Sequence, residues 1–118
     1  DLDVVTHEVM HIVQSYPGGA GPGWITEGIA DYVRNKMGVN NEAGDWRLPE
    51  YNSRQNYTDA YRVTARFLQW IEQKYKSNLV QKLDADMRNK KYAPAFWKTE
   101  TGKTIDQLWS EYAANPAI

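Results

Sequence analysis

Leu2-Asp3-Val4-Val5-Thr6-His7-Glu8-Val9-Met10-His11-Ile12-Val13-Gln14-Ser15, then the octet Tyr16-Pro17-Gly18-Gly19-Ala20-Gly21-Pro22-Gly23, then Trp24 to Met37, is the stretch on which the fold turns. In its first part Val5, Val9, Ile12 and Val13 recur at helical spacing, and Asp1 and Asp3 stand where acidic side chains favour a helix N-terminus. The spacing predicts one helix over Leu2–Ser15. Proline removes a backbone donor and glycine frees φ, so the octet ends that helix in a compact loop. A second helical pattern runs from Trp24 to Met37, with Gly38 placed to close it as a left-handed cap.

Further along, Val39 to Asn56 has no sustained period and is rich in Asn and other polar residues, with Gly44 and Pro49 among them, which predicts a long surface loop of the kind that often carries function. Tyr61, Ala65, Leu68 and Ile71 step by three and four residues and predict a third helix from Thr58 to about Tyr75. A fourth is expected from Ser77, burying Leu79, Leu83 and Met87, followed by a short turn over Ala93–Trp97. Gly102 breaks the chain, and Thr104-Ile105-Asp106-Gln107 reads as a capping box opening a last helix to about Ala114, stopped by Asn115-Pro116. No strand alternation, internal repeat or low-complexity segment emerges. The expected fold class is mainly α, a helical bundle.

Composition bounds the rest. With 118 residues the chain suits a single domain, 1–118, with one core. A mean hydropathy of −0.73 and the lack of any apolar run near twenty residues argue against a membrane span. Fourteen basic against fifteen acidic residues leave no single-sign field to attract nucleic acid or anionic lipid. Cysteine is absent, so a metal site here must be built from histidine and carboxylate. The chain begins at Asp1 without a leader, which is expected of a processed protein or a fragment of a longer one.

His7-Glu8-Val9-Met10-His11 places two imidazoles one helical turn apart, projecting from one face toward a common point. Neutral imidazole suits zinc at about 2.0 to 2.1 Å, and a catalytic zinc takes three protein ligands and leaves a position for water. Glu8 neighbours His7 around the helix, where its carboxylate reaches that water without binding the metal, the position of a general base. The bland alternative is two histidines on an ordinary helix with Glu8 a surface charge. The second helix weighs against it, because Glu27 and Asp31 lie four apart on one face, directly after the Gly-rich connection and beside the small Gly28 and Ala30. Buried carboxylates are costly unless paired or bound to a cation. Glu27 is therefore the expected third ligand of one zinc ion. Asp31 is assigned to accept the free N–H of a ligand histidine. Exchange of these two roles, and a solvated Asp31–Arg34 pair, stay open.

These residues resemble the gluzincin metallopeptidases, which combine a His-Glu-x-x-His helix with a downstream glutamate ligand. Trp24-Ile25-Thr26-Glu27-Gly28-Ile29-Ala30-Asp31-Tyr32-Val33-Arg34, Tyr61-Arg62-Val63-Thr64-Ala65-Arg66-Phe67-Leu68 and Gly102-Lys103-Thr104-Ile105-Asp106-Gln107-Leu108-Trp109 together resemble the plant basic secretory protein family and its bacterial relatives, over nearly the whole chain. The resemblance implies a secreted zinc-dependent peptidase, extracellular or periplasmic, acting on peptides or proteins. It also implies a bundle like the C-terminal, lower part of a zincin. Zincins place a mixed β-sheet before the metal-binding helix and hold extended substrate on its edge strand. Only six residues precede His7, so that sheet is expected to be lacking here. The chain is also not basic, and no surface charge carries over.

Peptide hydrolysis develops negative charge on the carbonyl oxygen, which a further donor would stabilise. Tyr61, at the head of the third helix and inside a matching block, is the candidate, with Tyr57 its nearest competitor; at helical spacing with Ala65 and Leu68, Tyr61 also reads as a core tyrosine with its hydroxyl at the surface. The other aromatics are expected to fill the core, Phe67, Trp70 and Ile71 from the third helix and Leu108, Trp109 and Tyr112 from the last, while Trp46 either covers the cleft or anchors its loop. Two competing readings remain: a non-catalytic metal-containing module that binds protein or glycan, and a purely structural zinc closed by a fourth ligand.

Overall fold

A computed structural model of the chain describes residues 21–37, 51–59 and 61–117. The described part is mainly helical, with no strand among its residues, as the periodicity predicts. Five α-helices follow in order: α1 (Gly23–Met37), α2 (Tyr61–Lys74), α3 (Leu79–Arg88), α4 (Phe96–Thr101) and α5 (Ile105–Ala114), with a 3-10 turn at Tyr57–Asp59 before α2. The helix expected over Leu2–Ser15, the cap at Gly38 and Trp46 lie outside the described residues. So does most of the loop between them.

α1 starts where the sequence places it, with the Pro22 carbonyl accepting from the Ile25 amide at 3.2 Å, and carries Arg34 and Lys36 in its last turn, where cations complement the helix dipole. Its nearest partner is α2. A Cβ added at Gly28 would stand 2.4 Å from Thr64 Cγ2, so glycine is what lets the two helices approach this closely. Ile25 and Ile29 of α1, Phe67, Leu68 and Ile71 of α2, Leu79, Leu83 and Met87 of α3, Phe96 and Trp97 of α4, and Leu108 and Tyr112 of α5 form one core. Trp24, Tyr51, Tyr57 and Trp109 pack around it, so the described aromatics are spent largely on the interior.

Four side chains fasten helix ends. Glu72, in the last turn of α2, accepts the Tyr32 hydroxyl of α1 and, at 3.0 Å, the Val80 amide in the first turn of α3. One carboxylate thus joins three helices and satisfies an orphan donor at an N-terminus. Burial and the Glu72 carboxylate hold the Tyr32 hydroxyl well above the usual tyrosine range. Glu100 of α4 accepts Lys76 at 2.7 Å and Lys82 at 3.0 Å. The Lys76 hydrogen bond, opposed by burial and aided by Lys82, keeps its carboxyl below the ordinary value. The capping box forms as read: Thr104 accepts from the Gln107 amide at 3.2 Å while Gln107 accepts from the Thr104 amide at 2.9 Å. Gly102, ahead of it, takes φ +84°, the left-handed turn that ends α4.

Two expectations are corrected. The third helix does not run on from Thr58: Asn56 Oδ1 accepts from the Thr58 amide at 3.0 Å and Asp59 Oδ2 accepts from the Asn56 amide at 2.9 Å, so side chains hold residues 56–59 in a separate turn. The helix begins at Tyr61, itself at φ +53°. The region read as a turn over Ala93–Trp97 instead opens the six-residue helix α4, which sinks Phe96 and Trp97 into the core.

Candidate functional site

α1 is buried on two sides. At about 100° per residue, Ile25 and Ile29 share the side facing the core, whereas Glu27, Ala30, Asp31 and Arg34 lie together on the far side. That far side is not a solvated face. Ala30 is fully buried, Asp31 is 4% exposed and Arg34 is 7% exposed. Glu27 is half-buried one turn before Asp31. The helix therefore takes one carboxylate and a guanidinium out of water, and a second carboxylate partly, on the flank opposite its apolar contact, an arrangement with a free-energy cost unless the charges are paired or bound.

Glu27 and Asp31 are both oxygen donors of the kind zinc accepts, one helical turn apart on the same side of α1, so the donor set fits a divalent cation. The rest of the expected ligand set, His7 and His11, and the base Glu8, lie outside the described residues. Among the described residues no group of three His, Cys, Asp or Glu side chains is placed to hold a metal ion.

The two tyrosines differ in setting. Tyr57 sits against Trp24 at a ring separation of 5.3 Å and against Trp109 at 5.9 Å, and its hydroxyl donates to Asp106 Oδ1 at 2.8 Å. That hydrogen bond, then burial, raises its pKa, so it stays a protonated donor committed to Asp106. Tyr61 stands at the head of α2 with φ +53° and 54% of its surface exposed. A non-glycine residue in the left-handed region stores strain, a condition that clusters at functional sites. It is not the core-packed tyrosine that its helical spacing with Ala65 and Leu68 allowed.

Thr64 is a residue the sequence reading does not single out. It is fully buried, touches Gly28 through its methyl group, and donates its hydroxyl to the Tyr57 carbonyl at 2.6 Å. The available signal was Gly28 itself, because a glycine inside a helix marks a close approach by something on the facing element. A separate groove of about 320 Å³ lies on the core-side edge of α1, bounded by Tyr32, Val33, Lys36, Val80 and Asp84. None of the candidates among the described residues, Glu27, Asp31, Tyr57 and Tyr61, borders it.

One family of sequences, described as peptidases of plants and bacteria, matches residues 2–112 of the chain. No curated protein and no solved structure matches it. The matched span takes in both histidines, Glu8, the polar flank of α1, Tyr57 and Tyr61. No helix among the described residues is long and apolar enough to cross a membrane.

Proposed function

This chain belongs to the family of peptidases of plants and bacteria, and from that premise we propose that it hydrolyses peptide bonds with one zinc ion held by His7, His11 and Glu27. The observation that carries the reading is the buried polar flank of α1. Asp31 at 4% exposure, with Glu27 one turn away, puts carboxylates where a cation or a charged partner has to balance them. Those are the same two acids that follow the His7-Glu8-Val9-Met10-His11 run across the glycine-rich loop.

Zinc, when bound, supplies Lewis acidity that polarises the scissile carbonyl and lowers the pKa of water toward about 7. Glu8 takes the proton of the attacking water and delivers it to the leaving amine. Asp31 accepts the free N–H of one ligand histidine, fixing its tautomer and ring orientation. Tyr61 donates its hydroxyl to the oxygen on which negative charge develops. The substrate is a peptide or protein, the chain acts as a single helical domain corresponding to the lower part of a zincin, and its setting is extracellular or periplasmic.

The test is hydrolysis of a mixed peptide library by the zinc-loaded protein, compared with Glu8→Gln. The expected result is cleavage by the wild type and none by the variant, at equal zinc content. Cleavage that persists in Glu8→Gln refutes the assigned base. Zinc uptake by a wild type that cleaves nothing favours a non-catalytic binding module instead.

A further inference from the structure

We infer that Thr64 is a positioning residue that locks α1, at the glycine next to Glu27, to the turn that leads into Tyr61; the inference rests on the roles proposed above for Glu27 and Tyr61. Thr64 has two functional ends and they point to different elements. Its methyl carbon occupies the space beside Gly28, where an added Cβ would come within 2.4 Å of Thr64 Cγ2 and 2.8 Å of Thr64 Cβ. Gly28 is the residue directly after Glu27, so this contact fixes how far the Glu27 carboxylate stands from α2. Its hydroxyl donates at 2.6 Å to the carbonyl of Tyr57, the first residue of the 3-10 turn. That turn leads within two residues to Tyr61 and its left-handed backbone.

A hydroxyl inside a helix ordinarily bonds back to a carbonyl of its own preceding turn. Here it reaches past the helix start to an element that is not part of α2. The side chain is fully buried, so water does not replace the bond when it is removed. Interiors pack densely and pass on small displacements, and an ångström of misplacement at a reacting group lowers turnover by a large factor. Thr64 touches neither metal nor substrate on this account. It acts through Gly28 on one side and Tyr57 on the other.

The two ends separate experimentally. Thr64→Val keeps the contact with Gly28 and removes the hydrogen bond, so kcat is expected to fall about tenfold with zinc affinity unchanged. Thr64→Ser keeps the hydrogen bond and removes the methyl, so zinc affinity, measured by chelator competition, is expected to fall while kcat of the fully loaded enzyme holds. Gly28→Ala overfills the contact and is expected to lower zinc affinity, and adding Thr64→Ser relieves the clash with Cγ2 but leaves the 2.8 Å approach to Cβ, so the double variant is expected to regain only part of what Gly28→Ala loses. A purely structural role lowers stability in all variants without separating kcat from zinc affinity, and that pattern overturns the inference. So does an unchanged kcat in Thr64→Val in a protein whose wild type binds zinc and cleaves peptide. Failure of the wild type to bind zinc overturns the metal reading first and this inference with it, a result distinguishable from the other two.

Discussion

Replacing Glu72 by alanine removes a single side chain from the end of α2 and loosens three helices together. Its carboxylate accepts the Tyr32 hydroxyl from α1 and the Val80 amide from α3. Hydrogen bonds to charged groups contribute about 1.5 to 3 kcal/mol when sheltered. Glu72 is only half-buried, and water relieves part of each loss, so about 1 kcal/mol per bond is the appropriate figure. Glu72→Ala is therefore expected to destabilise the protein by about 2 kcal/mol, which for a chain of this size lowers Tm by about 8 °C. Glu72→Gln keeps one acceptor oxygen and presents a second donor to the remaining one, so it is expected to cost about half as much. Urea unfolding with a constant m value measures both.

Tyrosinate absorbance adds an independent reading. In the wild type Tyr32 titrates above the ordinary value of 10.0, chiefly through burial and then through Glu72. A folded-state pKa raised in this way gives stability that is complete below pH 10.0 and is lost as pH rises through the higher folded value. In Glu72→Ala the Tyr32 titration is expected to move down toward the ordinary range. A Glu72→Ala protein within about 0.5 kcal/mol of wild type, or one in which the Tyr32 titration does not move, refutes the assignment of Glu72 as the three-helix tie.

Glu100, held below 4.5 mainly by Lys76, contributes stability that is present above that value and lost as pH falls through the depressed folded pKa; Glu100→Gln is expected to flatten the acid limb of a Tm-versus-pH curve. Thr104→Ala removes the α5 capping box and is expected to cost about 1 kcal/mol in urea unfolding, with Thr104→Ser nearly neutral. Gly102→Ala forces a Cβ into φ +84° and is expected to cost about 1 kcal/mol, although nothing stands within 4 Å to clash with it, so Gly102→Asn is expected to be milder.

What the sequence made legible was whatever depends on local chemistry. α1 and α5 start within a residue of their expected positions because a proline–glycine stretch and a capping box fix them through neighbouring atoms. α4 escaped because six residues are too few to show a period, and only the core tells Phe96 and Trp97 which way to face. The 3-10 turn escaped because Asn56 and Asp59 compete with helix through their own side chains. Glu72 left a weak signal, an acid in the last turn of a helix, where the dipole disfavours it. The pairing of Glu27 with Asp31 on one face was readable from their spacing. The burial of that face was not, since Ala30 and Arg34 beside them give no apolar stripe, and only the packed structure shows a helix enclosed on both flanks.

The zinc ligand set decides the account. A zinc-edge X-ray absorption spectrum of the loaded protein is predicted to show one ion per chain with two imidazole nitrogens and carboxylate oxygen at about 2.0 to 2.2 Å, and to lose an oxygen ligand in Glu27→Ala. A spectrum without imidazole scattering, or one that Glu27→Ala leaves unaltered, contradicts it.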